Sequence, residues 1–163
     1  MTPRILWAAA LAAFLSGNAL AADPGPYPGA TRDADITAQA QRASPTGAGP
    51  DTITASTTPD SFEKVLDFYK AAGTEVRMMA EPGQPQIVGY ERALPGEIKD
   101  GKIVASDRKV KQVVVILDEA PDLRFSKNWV TLIRPFVFDV AIEGDRFVYK
   151  DVRDVTVIVH SKE

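Results

Sequence analysis

The chain has 163 residues, with 19 basic and 22 acidic side chains, a formal net charge of −3 and no cysteine. The mild acidity argues against a nucleic-acid binder, which carries a basic face. The lack of cysteine excludes disulfides, thiolate metal sites, cysteine nucleophiles and the lipid attachment of a bacterial lipoprotein. At this length one domain with a sizeable core is expected.

Met1 to Arg4 is a short positive start, Ile5 to Leu15 is apolar, and Ala19-Leu20-Ala21 supplies small residues at the −3 and −1 positions. This is the layout of a secretory signal peptide over residues 1–21, cleaved after Ala21. The apolar run is shorter than the roughly 20 residues needed to span a bilayer, and no later segment is long and apolar enough. The expected product is periplasmic or secreted and not membrane-spanning. It would keep 142 residues, with 18 basic against 22 acidic side chains.

Residues 22–51 are poor in large apolar groups and rich in Pro, Gly and Ala, so they read as a flexible arm. Within it Pro28-Gly29 suggests a turn, Tyr27 a docking point, and Asp33 to Arg42 a weak helix. Residues 52–163 form the expected single domain. Thr52 to Ser56 alternates as a short strand. The segment from Thr58 to Gly73 carries the strongest helix pattern in the chain. Thr58 is the expected N-cap, Pro59 the first helical residue, and Gly73 a left-handed stop. Phe62, Val65, Leu66, Tyr69 and Ala72 fall on one face, with Lys64, Asp67 and Lys70 on the other. So short a helix needs a surface on which to lay its apolar face.

Strands are expected at Thr74 to Ala80 and Gln86 to Arg92, separated by a turn at Glu81 to Pro85. Leu94-Pro95-Gly96 should break the chain. Asp100-Gly101 is the strongest hairpin signal, flanked by Glu97 to Lys99 and Lys102 to Ala105. Val113 to Leu117 is apolar on both faces and should be a central strand covered on both sides. Trp129 to Ile133 is a strand that Pro135 ends at a sheet edge. Phe136 to Ile142 and Arg146 to Tyr149 form a hairpin, and Val155 to His160 a last strand. The resulting fold class is α+β: a mostly antiparallel twisted sheet with one main amphipathic helix packed on one face.

Few residues point to chemistry. Gly96 to Ile103 has the spacing of a phosphate loop, but Ile103 replaces the magnesium-binding hydroxyl and a strand, not a helix, follows. His160, the only histidine, reads as a solvated side chain near the terminus. Asp118, Glu119 and Asp122, Glu143 and Asp145, and Asp151 and Asp154 are loose carboxylate groups that match no calcium loop. Arg108, Lys109 and Lys111, with Lys99 and Lys102 across the sheet, make a small basic patch. Met78 and Met79 alternate across a strand and cannot act together on a metal. No catalytic or metal site is expected, and no cofactor.

Tyr90, Trp129, Phe136, Phe138 and Tyr149 are the candidate ligand-binding residues. If one sheet face escapes the single helix, they would line a groove or a homodimer interface.

Tyr27-Pro28-Gly29-Ala30, followed by Thr58-Pro59-Asp60-Ser61 and Val65-x-x-Phe68-Tyr69, resembles small uncharacterised exported bacterial proteins. Those carry a Tyr-Pro-Gly-Ala arm before a strand and a Phe-Tyr helix. The resemblance implies an α+β exported domain and no known activity. The function expected is therefore non-enzymatic: an unknown protein or small apolar or amphipathic ligand bound on an open sheet face, without nucleic acid. The alternatives are a hydrolase using Asp118, Glu119, Asp151 and Asp154, or a structural periplasmic protein.

Overall fold

A computed structural model describes residues 23–43, 52–76 and 87–163. The leader, the linker from Ser44 to Pro50, Met78 and Met79, and the turn from Glu81 to Pro85 lie outside the described residues.

The elements are β1 (Thr31–Arg32), α1 (Ala34–Ala43), β2 (Ile53–Thr58), α2 (Phe62–Lys70), β3 (Thr74–Val76), β4 (Ile87–Val88), β5 (Glu91–Lys99), β6 (Lys102–Ile116), β7 (Asn128–Arg134), β8 (Phe136–Glu143), β9 (Arg146–Arg153) and β10 (Thr156–Lys162). The strands form one antiparallel sheet in the order β1-β2-β10-β7-β6-β5-β9-β8, with β3 on β6 and β4 on β5. The α+β class holds: a largely antiparallel, twisted, unclosed sheet with helices packed on it.

The amphipathic helix does what its pattern requires. Phe62, Val65, Leu66 and Tyr69 are all at most 4% exposed. They lie on Val113 and Val115 of β6, Leu117 just after it, Val130 and Leu132 of β7, and Ile158 of β10. Each such side chain contributes about 1.5–3 kcal/mol by leaving water. Burial of the Tyr69 ring pushes its phenol up to about 12.

The helix begins later than its sequence suggests. Ser61, not Thr58, is the N-cap, its hydroxyl accepting from Lys64 N at 3.3 Å. Thr58 instead ends β2, opposite Thr156 of β10, and is buried. The ladder claims its backbone before a helical turn can. Gly73 is not left-handed either; its role is close approach to β6.

Residues 23–43 of the expected arm are built into the fold. Tyr27 is 7% exposed, donates to Asp60 Oδ2 at 2.7 Å and stands edge-on to Phe68 at 5.2 Å. Helix α1 covers the sheet face opposite α2, where Ile36 joins Ala55, Phe136 and Val157. Among the described residues, then, two helices pack on the sheet rather than one. Polar bonds also hold α1: Thr37 Oγ1 donates to Asp33 O at 2.6 Å and accepts from Ala55 N at 2.9 Å.

Val113 to Leu117 is buried throughout, as a two-sided apolar strand should be. Three other strand expectations change. Gly89 and Tyr90 form a turn between β4 and β5, with Gly89 at φ +62°. Leu94-Pro95-Gly96 lies inside β5, where bulges between Ala93 and Pro95 and between Pro95 and Glu97 accommodate the proline. Strand β7 is internal, between β10 and β6, and the cis Arg134-Pro135 bond separates it from β8.

Candidate functional site

Two hairpins extend from the helix-covered sheet. One joins β5 to β6 at Asp100-Gly101, with φ of +51° and +72°, the left-handed pair an Asp-Gly turn supplies. The other joins β8 to β9 at Gly144-Asp145. They meet near their tips, where Glu97 opposes Arg146 and Ile98 N donates to Asp145 O at 2.7 Å.

The register decides which side chains share a face, because paired residues lie together and successive ones alternate. Ile103 opposes Ile98, and Ile142 opposes Phe147. Ile98 lies beside Asp145, so it shares a face with Phe147 two residues on. Ile103, Ile98, Phe147 and Ile142 therefore form an apolar row across all four strands. Val140, opposite Tyr149, begins a second row on the same face. Ile103, Val140 and Ile142 are 47%, 50% and 59% exposed. At its inner end this face is covered: Phe136 and Phe138 pack into the α1 cluster, and Arg153 lies over the Phe138 ring at 4.6 Å. The other face of the β8–β9 hairpin is mixed, with Glu143 paired to Lys150 at 3.4 Å.

The five aromatic candidates do not converge on one groove. Phe136 and Phe138 stand together, 6.3 Å between ring centres. Tyr149 is on their face of the hairpin and donates to Pro95 O. Tyr90 belongs to the opposite cluster, 5.7 Å from the Phe62 ring, with its hydroxyl donating to Glu75 Oε2 at 2.8 Å. Trp129 lies at the far end of β7, opposite Ile116 and Ser161. Sequence reasoning missed Ile103, Val140 and Ile142 as site residues. The available signal was the return of a large apolar residue at every second position from Phe136 to Ile142 in a hairpin.

The basic patch is two places, not one. Lys99 and Lys102 face each other at a hairpin tip. Lys102 and Lys109 are seven residues apart on one strand, roughly 23 Å. Lys109 pairs with Glu91 at 3.3 Å, and Lys111 with Glu63. With Arg134 they border a cleft of about 210 Å³ beside the start of α2. Arg134 donates to Asp60 O at 2.8 Å and pairs with Asp154 at 3.0 Å. Each cation here already has an internal carboxylate, so the cleft offers no surplus charge to an anion. A second, open cleft of about 440 Å³ lies where Tyr27 and Pro28 meet Asp60, Lys64 and Phe68. Its polar groups also satisfy one another: Lys64 and Tyr27 both donate to Asp60 Oδ2. The Lys64 ammonium and then the Tyr27 hydroxyl hold the Asp60 carboxyl below its usual range.

The carboxylates are separated as well. Asp118 holds its own loop, accepting from Ser126 Oγ at 2.9 Å, Lys127 N at 2.6 Å and Asn128 N at 3.1 Å. Burial alone would raise its pKa, but these bonds outweigh it and hold the carboxyl below the ordinary value. Asp118 sits at the Asn128 end of β7, and Asp154 at the Arg134 end. Six residue steps separate those ends, roughly 20 Å, too far for a carboxylate pair working across one glycosidic bond. Asp151 is engaged by Arg153 at 2.6 Å. Among the described residues no group of three or more His, Cys, Asp or Glu side chains could hold a metal ion.

His160 is not a frayed end. It lies in β10, opposite Thr54 and Val130, beside a cavity of about 30 Å³ partly closed by Pro26 and Tyr27. Its Nε2 is 2.7 Å from Asn128 Oδ1. An amide oxygen only accepts, so Nε2 is the donor in this contact. Burial pushes the pKa down; Asp23 acts in the opposite direction, and Lys162 reinforces the fall. The folded state thus binds the proton less well than the unfolded chain, so this contribution to stability is complete above about pH 6.5 and is lost as the pH falls. The urea midpoint should drop from pH 7.5 to 5.5, and His160→Gln should drop less. Equal drops would assign the change to other groups.

Comparison of the chain with family models, with curated proteins and with solved structures finds no match in any of the three.

Proposed function

We propose that this is an exported, non-enzymatic binding protein that takes a protein partner or a small amphipathic ligand on the apolar face of its distal sheet. The observation that carries the reading is the row Ile103, Ile98, Phe147 and Ile142, with Val140 beside it: Ile103, Val140 and Ile142 are exposed, and Ile98 and Phe147 between them are half-buried. A contiguous apolar patch on a soluble protein marks an interaction site more often than a scattered apolar residue does. The scaffold suits that use. The hairpins extend from a core sealed on both faces, so an occupant can cover the patch without disturbing the fold. Export rests on the leader pattern of residues 1–21 and on the resemblance carried by Tyr27-Pro28-Gly29-Ala30.

The protein recovered from a periplasmic extract, lacking residues 1–21 by intact mass, is expected to enhance the fluorescence of 1-anilinonaphthalene-8-sulfonate. Ile142→Lys and Ile103→Lys place a charge in the exposed row and should each reduce the enhancement several-fold with unchanged circular dichroism. Enhancement equal to that of the parent would remove this face as the binding surface. Retention of the leader, or absence from the extract, would count against export.

A further inference from the structure

The distal sheet ends in two strand edges with no ladder partner among the described residues. One is β8, which pairs only with β9. The other is the outer half of β6, from Lys102 to Lys109, which pairs only with β5. Both are largely exposed toward the hairpin tips. An exposed edge is a template for another strand unless something blocks it.

The two edges differ in charge. Strand β8 carries Asp139 and Glu143 and no basic residue, while the outer half of β6 carries Lys102, Arg108 and Lys109 against one acid, Asp107. Like edges of two copies would bring acid to acid or base to base. Unlike edges match, and the match extends to single residues. Within the sheet β6 is antiparallel to β5, β5 to β9 and β9 to β8. A β6 edge laid on the β8 edge of another copy therefore continues the antiparallel order. Setting Lys102 opposite Glu143 places Ile103 opposite Ile142 and Val104 opposite Ala141. Ile103 and Ile142 lie on the same face in each copy, so the apolar row runs on unbroken across the junction. On the other face Lys102 meets Glu143, which it would share with Lys150 of the same hairpin. The residue-by-residue match covers Lys102 to Ala105, because the bulge that sets Ser106 to Arg108 against Leu94 interrupts the regular edge beyond it.

We infer that the partner of these edges is a second copy of this chain, joined head to tail through β6 of one and β8 of the next. Backbone hydrogen bonds supply the attraction and the edge charges select the orientation and register. Such a contact is heterologous: each copy keeps one edge of each kind, so assembly continues beyond two copies unless a ring closes. The pairing uses the strand edges and does not depend on what occupies the apolar face.

Sedimentation over a concentration series tests it, with circular dichroism as a fold check. The parent should show self-association that weakens as salt rises. Asp139→Lys with Glu143→Lys makes both edges basic. Lys102→Glu with Arg108→Glu makes both acidic. Each double variant alone should associate at least tenfold more weakly than the parent. A mixture of the two should regain association, because a basic edge again meets an acidic one. A parent that stays monomeric up to about 1 mM, a range in which only weak complexes dissociate, overturns the inference. So does association that neither variant weakens, or a mixture no stronger than its components. The four positions are off the apolar row, so dye enhancement should persist in both variants. Loss of assembly with dye binding intact leaves the binding face standing, and the reverse result separates the two the other way.

Discussion

Phe62→Ala is expected to lower the free energy of unfolding by about 3–5 kcal/mol, read as a fall in the urea midpoint. Phe62 is the first residue of α2 and is 1% exposed. Its ring is 5.7 Å from that of Tyr90, and the Lys111 ammonium stands 6.0 Å from the ring centre. Truncation opens a void between the helix start and the β5 strand entry. The neighbours cannot collapse into it, because Lys111 is held by Glu63 and the Tyr90 hydroxyl by Glu75. Phe125→Ala is the matched control. Phe125 is 64% exposed, and its loss should fall within about 0.5 kcal/mol of neutral. A Phe62 effect as small as the control's would show that α2 does not seal this side of the sheet.

Gly73→Ala should be the most damaging single-methyl change, at the upper end of the roughly 1–3 kcal/mol typical of overpacking, or beyond it. A methyl there would sit 2.3 Å from Ile116 O and 2.9 Å from Val115 Cγ1. The carbonyl cannot yield, since Ile116 is paired to Thr74 on one side and Trp129 on the other. Gly101→Ala provides the contrast. Gly101 has φ +72° with nothing near its missing methyl, so its cost is conformational, roughly 1–2 kcal/mol. If the two variants melted alike, the close approach of Gly73 to β6 would not be what requires glycine.

Gly73 also marks where local reading stops. A glycine after an amphipathic helix reads as a left-handed stop, and that inference uses only neighbours in sequence. The approach of a strand more than forty residues later leaves no local trace. His160 follows the same rule. Its position three residues from the end suggests exposure, yet a ladder on each side and the Tyr27 arm above it half bury the ring. For α1 the apolar signal is one isoleucine, and the bonds of Thr37 to Asp33 and Ala55 cannot be seen without β2 in place.

The candidate face was legible only in part. Alternation in Phe136 to Glu143 and the Asp-Gly turn foretell two hairpins with an apolar side each. That the two apolar sides coincide depends on Glu97 meeting Arg146. A one-residue slip there would place Ile98 and Phe147 on opposite faces. The aromatic residues drew attention by size, but size directs a side chain to the core as readily as to a site. Phe136 and Tyr90 accordingly belong to clusters on opposite faces of the sheet.

The sequence by itself determined the period of each element: 3.6 residues in Phe62 to Tyr69, two in Phe136 to Glu143, and unbroken apolarity in Val113 to Leu117. Those periods are local steric and hydrophobic properties, and they are enough to specify an α+β chain. Tertiary structure alone decided which periods face each other, because strand order and register arise from contacts between residues far apart along the chain. It is that register, through Ile98, Ile103, Phe147 and Ile142, that turns four separate apolar residues into one surface.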